Sequence, residues 1–254
     1  MLICLVSVAP LRSEPSHRSE MVSQLLFGEM CEPMEQSGDF TKVKARYDNY
    51  VGWCQTVQLQ VAEYQQPTQM PLSADWVNKV MINGQTAVIP FGSDLAFLKG
   101  SEAMVAEKKI TYDGAFLLPE SNEWNEKALQ ELLQTFLNTP YLWGGRSVFG
   151  IDCSGFTQLV FKCFHKYLHR DASQQATQGD ALGFLQEAHC GDLAFFDNAD
   201  GKIIHVGILL NDHSIIHASG KVRIDTIDNM GIINSDTGRR THSLRIVKRI
   251  GDVK

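Results

Sequence analysis

Asp152-Cys153-Ser154-Gly155-Phe156 places one thiol where a loop turns into a helix. The following segment, Cys153 to Tyr167, carries Phe156, Leu159, Val160, Cys163, Phe164 and Tyr167 at helical spacing. A thiol in the first turn of a helix lies over unpaired backbone N–H groups and the positive end of the helix dipole. Both favour the thiolate, which is the form that attacks carbonyls. Downstream, His205 sits in Ile203-Ile204-His205-Val206-Gly207-Ile208-Leu209 and His217 in Ile215-Ile216-His217-Ala218-Ser219, both strand-like runs. One histidine can act as a base and the other can orient it, which is the minimum for a thiol hydrolase.

The elements around these residues predict an α+β chain. Residues 1–66 read as a small all-β domain, with apolar runs at 2–9, 21–27 and 57–64 and a strand at Tyr50-Val51-Gly52-Trp53-Cys54. A break follows at Gln65-Gln66-Pro67-Thr68-Gln69-Met70-Pro71. Residues 72–118 read as a second small β domain, with strands at 77–82, 85–90, 95–98 and 115–118. Asn83-Gly84 between the first two is a hairpin signal. From 119 to 254 the pattern turns mixed. Ser121 or Asn122 can cap a helix with Trp124, Ala128, Leu129, Leu132, Leu133, Phe136 and Leu137 on one face, stopped by Pro140. The loop Trp143-Gly144-Gly145-Arg146, the cysteine helix and a run of strands complete it.

The composition supports a packed core: 44% of the 254 residues are hydrophobic and 20% charged. A net charge of −6 argues against a nucleic-acid partner. No run approaches the roughly 18 apolar residues of a membrane span. The apolar start, Met1 to Ala9, has no basic region and meets Pro10, so it reads as a strand and not as a secretory signal. The six cysteines form no CxxC pair and no metal-ligand spacing. They read as reduced, which points to the cytoplasm, with no metal or organic cofactor. A mature chain that has lost a signal would look the same and would be periplasmic or secreted. His17, His165, His169, His189, His213 and His242 lie in polar or helix-surface contexts and are expected to be solvated.

Pro140-Tyr141-Leu142-Trp143-Gly144-Gly145, Asp152-Cys153-Ser154-Gly155-Phe156, Gly191-Asp192-Leu193-Ala194-Phe195-Phe196, His205-Val206-Gly207-Ile208 and Ile216-His217-Ala218 resemble, in that order, the motifs of the NlpC/P60 cysteine peptidases. Leu11-Arg12-Ser13-Glu14-Pro15 and Ser23-Gln24-Leu25-Leu26-Phe27-Gly28-Glu29 resemble a bacterial SH3 domain. His169-Arg170-Asp171-Ala172-Ser173-Gln174-Gln175 resembles a segment of γ-D-glutamyl-L-diamino-acid dipeptidyl peptidases. The resemblance implies a papain-like NlpC/P60 catalytic domain behind SH3-like barrels. It also implies hydrolysis of the γ-D-glutamyl–L-diamino-acid bond of murein peptides with a free N-terminal L-Ala, releasing L-Ala-D-Glu for recycling. A monomer is expected. A secreted wall-lytic endopeptidase whose SH3-like domains bind the cell wall is the alternative. A non-catalytic peptide-binding module is a third reading, disfavoured because Cys153, His205 and His217 are all kept.

By the same resemblance, Cys153 is the nucleophile, His205 the base and His217 the group that holds the base. The Cys153 N–H is the natural oxyanion donor. Tyr141, Asp152, Ser154, Arg170 and Tyr50 match substrate-binding positions, although Arg170 can equally belong to a structural ion pair. An acidic residue is needed for the substrate ammonium, with Glu20 the candidate and Glu29 the runner-up. The glycines of Trp143-Gly144-Gly145 are expected to let the backbone pass close to the cysteine helix.

Overall fold

The structure is a computed structural model that describes residues 1–63 and 68–251. It divides into two compact units, Met1–Asn122 with Trp143–Phe149, and Glu123–Leu142 with Gly150–Lys254.

The first unit opens with β1 (Leu2–Cys4), β2 (Val8–Arg12), β3 (Met21–Leu26), β4 (Met30–Ser37), β5 (Phe40–Ala45), β6 (Val51–Gln55) and β7 (Leu59–Val61). These form one seven-stranded antiparallel sheet in the order β3-β2-β6-β5-β4-β1-β7. Alternation in β2 buries Ala9 and Leu11 while Val8, Pro10 and Arg12 are half-buried, the period of a strand with one face on a core. The apolar run 2–9 is therefore two strands, β1 and the start of β2. β8 (Leu72–Ser73), β9 (Val77–Ile82), β10 (Gln85–Pro90), β11 (Glu102–Val105), β12 (Lys108–Thr111) and β13 (Phe116–Leu117) follow. Asn83 and Gly84 both take positive φ, 49° and 78°, and join β9 to β10 in register Ile82↔Gln85. This is the tight hairpin expected of that dipeptide. The expected strand at 95–98 does not form, and the expected strand at 115–118 shortens to Phe116–Leu117.

The sequence separates 1–66 from 72–118, whereas the structure gathers both stretches into one unit. Ile3, Leu5 and Phe27 share a core with Val80, Ile89, Leu95, Val105, Ile110 and Tyr112. Gly28 shows how close the two stretches run. Its φ is +81°, and a Cβ there would lie 1.7 Å from the Asp94 carbonyl oxygen. Each stretch alone is a small β structure with little apolar surface to bury, and pooling the two cores relieves that deficit. Residues 65–67 of the expected break lie outside the described residues, as does the last residue of the apolar run 57–64.

The second unit contains α1 (Glu126–Thr135), and the 143–149 loop that follows it carries β14 (Arg146–Ser147) in the first unit. Then come β15 (Gly150–Ile151), α2 (Cys153–Lys162), α3 (Ala172–Gln175), β16 (Asp180–Ala181), β17 (Leu193–Asp197), β18 (Ile203–Leu209), β19 (Ser214–Ser219), β20 (Lys221–Asp228), β21 (Gly231–Ile233) and β22 (Arg240–Arg249). The strand order is β16-β22-β17-β18-β19-β20-β21, and β21 also pairs with β22. Strands β17 to β22 therefore close on themselves around a core that includes Ala194, Phe196, Leu209, Ile215, Ile227 and Ile232.

α1 is capped by Asn125, whose side chain accepts from the Ala128 N–H at 3.0 Å. Ser121 and Asn122 lie in and after a short 3-10 turn and do not cap it. α2 is buried along its whole length and packs on β18 and β19. It is shorter than its apolar pattern suggests. His165 turns to φ +55°, and the Lys166 N–H returns to the Phe161 carbonyl, closing the end. Among the described residues no helix is long and apolar enough to cross a membrane.

Candidate active site

Asp152 starts α2 and holds its first turn. It has extended backbone (φ −92°, ψ 177°), and its side chain accepts from the Gly155 N–H at 2.7 Å. The same carboxylate meets Arg170, at 2.6 Å from Nη2 to Oδ2 and 3.0 Å from Nη1 to Oδ1. Arg170 Nη1 also donates to Ser154 Oγ at 2.9 Å. Arg170 is 1% exposed. Gln175 Nε2 adds bonds to the Ser154 and His169 carbonyls. The two residues flanking Cys153 are thus fastened to one buried guanidinium, so Asp152, Ser154 and Arg170 come together as a brace for the turn that presents the thiol.

Cys153 is the first residue of α2 and is 7% exposed. Its sulfur lies against the backbone N–H of Val206, the residue after His205 in β18. His205 Nε2 is 2.8 Å from His217 Nδ1, and His217 Nε2 is 3.0 Å from Asp225 Oδ2. Asp225 Oδ1 accepts from Arg223 Nη2 and from the Ser235 N–H, both at 2.9 Å. Arg223 Nη1 pairs in turn with Asp236 at 2.9 Å. Gly207 makes the histidine pair possible. A Cβ at that position would fall 2.8 Å from the His217 Cβ and 2.7 Å from Ile215 Cδ1.

The electrostatics at the thiol run against the charged form. Burial, followed by the neighbouring Asp152 charge, pushes the Cys153 thiol up to about 12. The Val206 N–H, Arg170 and the Ser154 N–H oppose this and lose. Burial also drives His205 well below its ordinary value, with the charges of His217 and His242 acting the same way. Both shifts favour a thiol and an uncharged imidazole over a resting ion pair. Burial at the start of α2 is the largest of the effects on the thiol.

This has a measurable consequence. A neutral imidazole is present above its pKa and is lost as pH falls through it, so the acid limb of kcat is expected below about pH 6.5. Alkylation of Cys153 by iodoacetamide is expected to be still accelerating at about pH 10, because the thiolate forms late. A reaction rate already level by about pH 7 would show a resting ion pair instead.

Tyr141 has its N–H on the Gly220 carbonyl and bridges Ile151 in parallel. Burial raises its hydroxyl pKa, and the charges of Cys153 and Asp152 add to the effect, so it stays protonated. Cys153, His205, His217, Asp152, Ser154, Tyr141 and Arg170 all belong to the second unit.

Tyr50 and Glu20 belong to the first unit. Tyr50 is half-buried, and its N–H donates to Asp48 Oδ1. Glu20 accepts from Trp143 Nε1 at 2.7 Å. Glu29, the runner-up, is buried in an ion pair with Arg146 at 2.9 Å and also accepts the Leu26 N–H. Gly144 makes its close approach to the Met21 carbonyl oxygen, 2.4 Å from a would-be Cβ at φ +75°. Its small size therefore serves that contact, where the sequence reading placed the close approach at the cysteine helix.

Sequence reasoning missed Asp225, Arg223 and His242. His242, expected to be solvated, stacks on the His205 ring with centroids 4.2 Å apart and planes at 23°. Burial, then the charge of His217, lowers its pKa to about 4, with Asp225 opposing. A signal for Asp225 was present. A hairpin turning at Gly220 (φ +70°) aligns His217 with Arg223 and leaves Asp225 one pleat further along.

Comparison with known proteins agrees with this picture. Residues 138–241 match the model of the NlpC/P60 family, and residues 11–59 match the bacterial dipeptidyl-peptidase SH3 domain. A Bacillus cereus protein named gamma-D-glutamyl-L-lysine dipeptidyl-peptidase is 26% identical over 89% of this chain and 77% of its own length. The probable endopeptidase NlpC of Escherichia coli is 37% identical over 40% of this chain and 68% of its own length. The crystal structure of a NlpC/P60 family protein from Bacillus cereus superposes with a TM-score of 0.80 at 22% identity, over 98% of both chains, and shares the fold. A cysteine at a helix start, a histidine pair on the adjoining sheet and these matches lead to one assignment: the chain belongs to the NlpC/P60 family of cysteine peptidases and carries an SH3-like domain ahead of the catalytic one.

Proposed function

We propose that this protein is a dipeptidyl peptidase of murein peptides. It would cut the γ-D-glutamyl–L-diamino-acid bond of substrates with a free N-terminal L-Ala and release L-Ala-D-Glu, a step in recycling cell-wall peptides. The observation that carries the reading is the 2.8 Å bond between His205 and His217 on the sheet that packs against the Cys153 helix. The name of the Bacillus cereus relative, matched across both segments of the chain, supports the substrate class.

In this proposal Cys153 attacks the scissile carbonyl. His205 Nε2 is engaged by His217, so Nδ1 is the nitrogen that takes the thiol proton. Sulfur bonds to carbon as the S–H bond breaks, and the carbonyl electron pair moves onto oxygen. The Cys153 N–H, free of an intrahelical partner at the helix start, and the Tyr141 hydroxyl are assigned as donors to that oxyanion. When the tetrahedral centre collapses, the C–N bond breaks and His205 returns the proton to the leaving amine. Water then hydrolyses the thioester by the same route in reverse. The fold that carries this chemistry is read as papain-like.

Tyr50 and Glu20 are assigned to the substrate ammonium. Asp152, Ser154 and Arg170 stay beside the substrate as neighbours of the nucleophile, their side chains fixing its turn. We take 1–66 as the SH3-like domain, 72–118 as a second SH3-like module pooled with it, and 119–254 as the catalytic domain. The protein is assigned to the cytoplasm as a monomer, a placement supported by its six free cysteines.

The test compares L-Ala-γ-D-Glu-diamino-acid tripeptide with its N-acetylated form. A site that pairs with an ammonium loses that partner on acetylation, and kcat/KM is expected to fall by about 10²-fold or more. Equal turnover of the two peptides, together with clearing of intact sacculi, would overturn the exopeptidase reading in favour of a wall-lytic endopeptidase.

A further inference from the structure

We propose that Asp225 is a positioning residue that sets which nitrogen of His205 is the base. The inference rests on the proposed roles of Cys153 and His205, and it deepens them. Asp225 is 2% exposed and faces His217 Nε2 at 3.0 Å. A carboxylate can only accept, so His217 carries its hydrogen on Nε2. His217 Nδ1 then holds a lone pair, and His205 Nε2, 2.8 Å away, must be the donor. The one lone pair left on His205 is at Nδ1. The order of donors therefore runs from the base through His217 to Asp225, and it is fixed at the Asp225 end.

The carboxylate is itself tightly held. Arg223 Nη2 and the Ser235 N–H converge on Oδ1, which leaves Oδ2 for His217. Burial alone would raise its pKa. Hydrogen bonds from His217, the Ser235 N–H and Arg223 together hold it below the usual carboxylate range, so it stays an anion. A group that presents acceptors on both sides cannot be exchanged for an amide without consequence.

Asp225→Asn shows why. The single amide oxygen is claimed by Arg223 and the Ser235 N–H, so the NH₂ is turned toward His217 Nε2. His217 must then shift its hydrogen to Nδ1 and donate to His205 Nε2. His205 is left protonated on Nδ1 and cannot take the thiol proton.

The experiment is ¹⁵N NMR of the histidine rings in the native protein, with steady-state kinetics of Asp225→Asn. In the native protein both His205 and His217 are expected as Nε2–H tautomers. In Asp225→Asn both are expected as Nδ1–H, with kcat lower by about 10²–10⁴-fold and KM changed by less than about threefold. A lesion confined to packing would leave the tautomers alone. If Asp225→Asn does not fold, the native tautomers still decide. A His217 protonated on Nδ1, or an imidazolium there, overturns the inference. So does a folded Asp225→Asn with native kcat. Parallel assays of Cys153→Ala and His205→Gln separate the two levels. If both are inactive while Asp225→Asn is fully active, the Asp225 inference fails alone. If they retain turnover, the reading of the whole site fails.

Discussion

Cys153→Ala is expected to abolish peptide hydrolysis, with kcat falling by about 10⁴–10⁶-fold. The sulfur sits at the start of α2, and its neighbour across the packing is the strand that carries His205. His205→Ala is expected to cost a similar factor, and the double variant little more, because nucleophile and base act as a unit. Dipeptide release followed by chromatography measures the loss. Thermal melting of the same samples should stay close to native, since removing one sulfur from a helix start leaves only a small void. A Cys153→Ala variant within about tenfold of the native rate would remove the thiol from the mechanism.

Arg170→Met is expected to be the most damaging substitution for stability. Arg170 and Asp152 form a buried pair at 2.6 Å with side chains 1% and 9% exposed. Removing the cation leaves a buried carboxylate uncompensated, at a cost of about 3–5 kcal/mol. In a protein of this size that corresponds to a fall in Tm of about 10 °C. Adding Asp152→Asn should recover most of the loss, because the asparagine can still cap α2 and no charge is stranded. Circular dichroism melts of the two single variants and the double variant close this cycle. If the double variant melts as low as Arg170→Met, the pair is not what holds the turn. Activity should fall with stability in Arg170→Met, since the same guanidinium touches the residues on both sides of Cys153.

The catalytic half was more legible than the front half, and the reasons are physical. α2 announces itself because a capping Asp152 precedes a run of apolar residues, all of which end up buried. The hairpin of β9 and β10 is readable because Asn83-Gly84 suits the left-handed conformations it adopts. β4 was not readable. Glu32, Met34, Glu35 and Gln36 are exposed, so most of the strand shows no apolar alternation, and its place is set by pairing with β5. β11 and β12 hid in the same way behind Glu102, Lys108 and Lys109. The shared core of 1–63 and 68–118 was invisible because periodicity states which face is apolar and not which partner covers it.

The chain alone determined its chemical kit: a thiol at a helix start, histidines on strands, and the ordered motifs that mark its family. These are properties of residue type and spacing, and they survive in a linear reading. Three further properties arose only in the folded molecule. Burial pushes the Cys153 thiol up and His205 down. Strand pairing across Gly220 carries Asp225 to His217, and β17, which pairs with both β18 and β22, brings His242 onto His205. Arg170 reaches back from beyond α2 to clasp Asp152 and Ser154. Each depends on solvent exclusion or on the meeting of residues distant along the chain, and neither is encoded by neighbours in sequence.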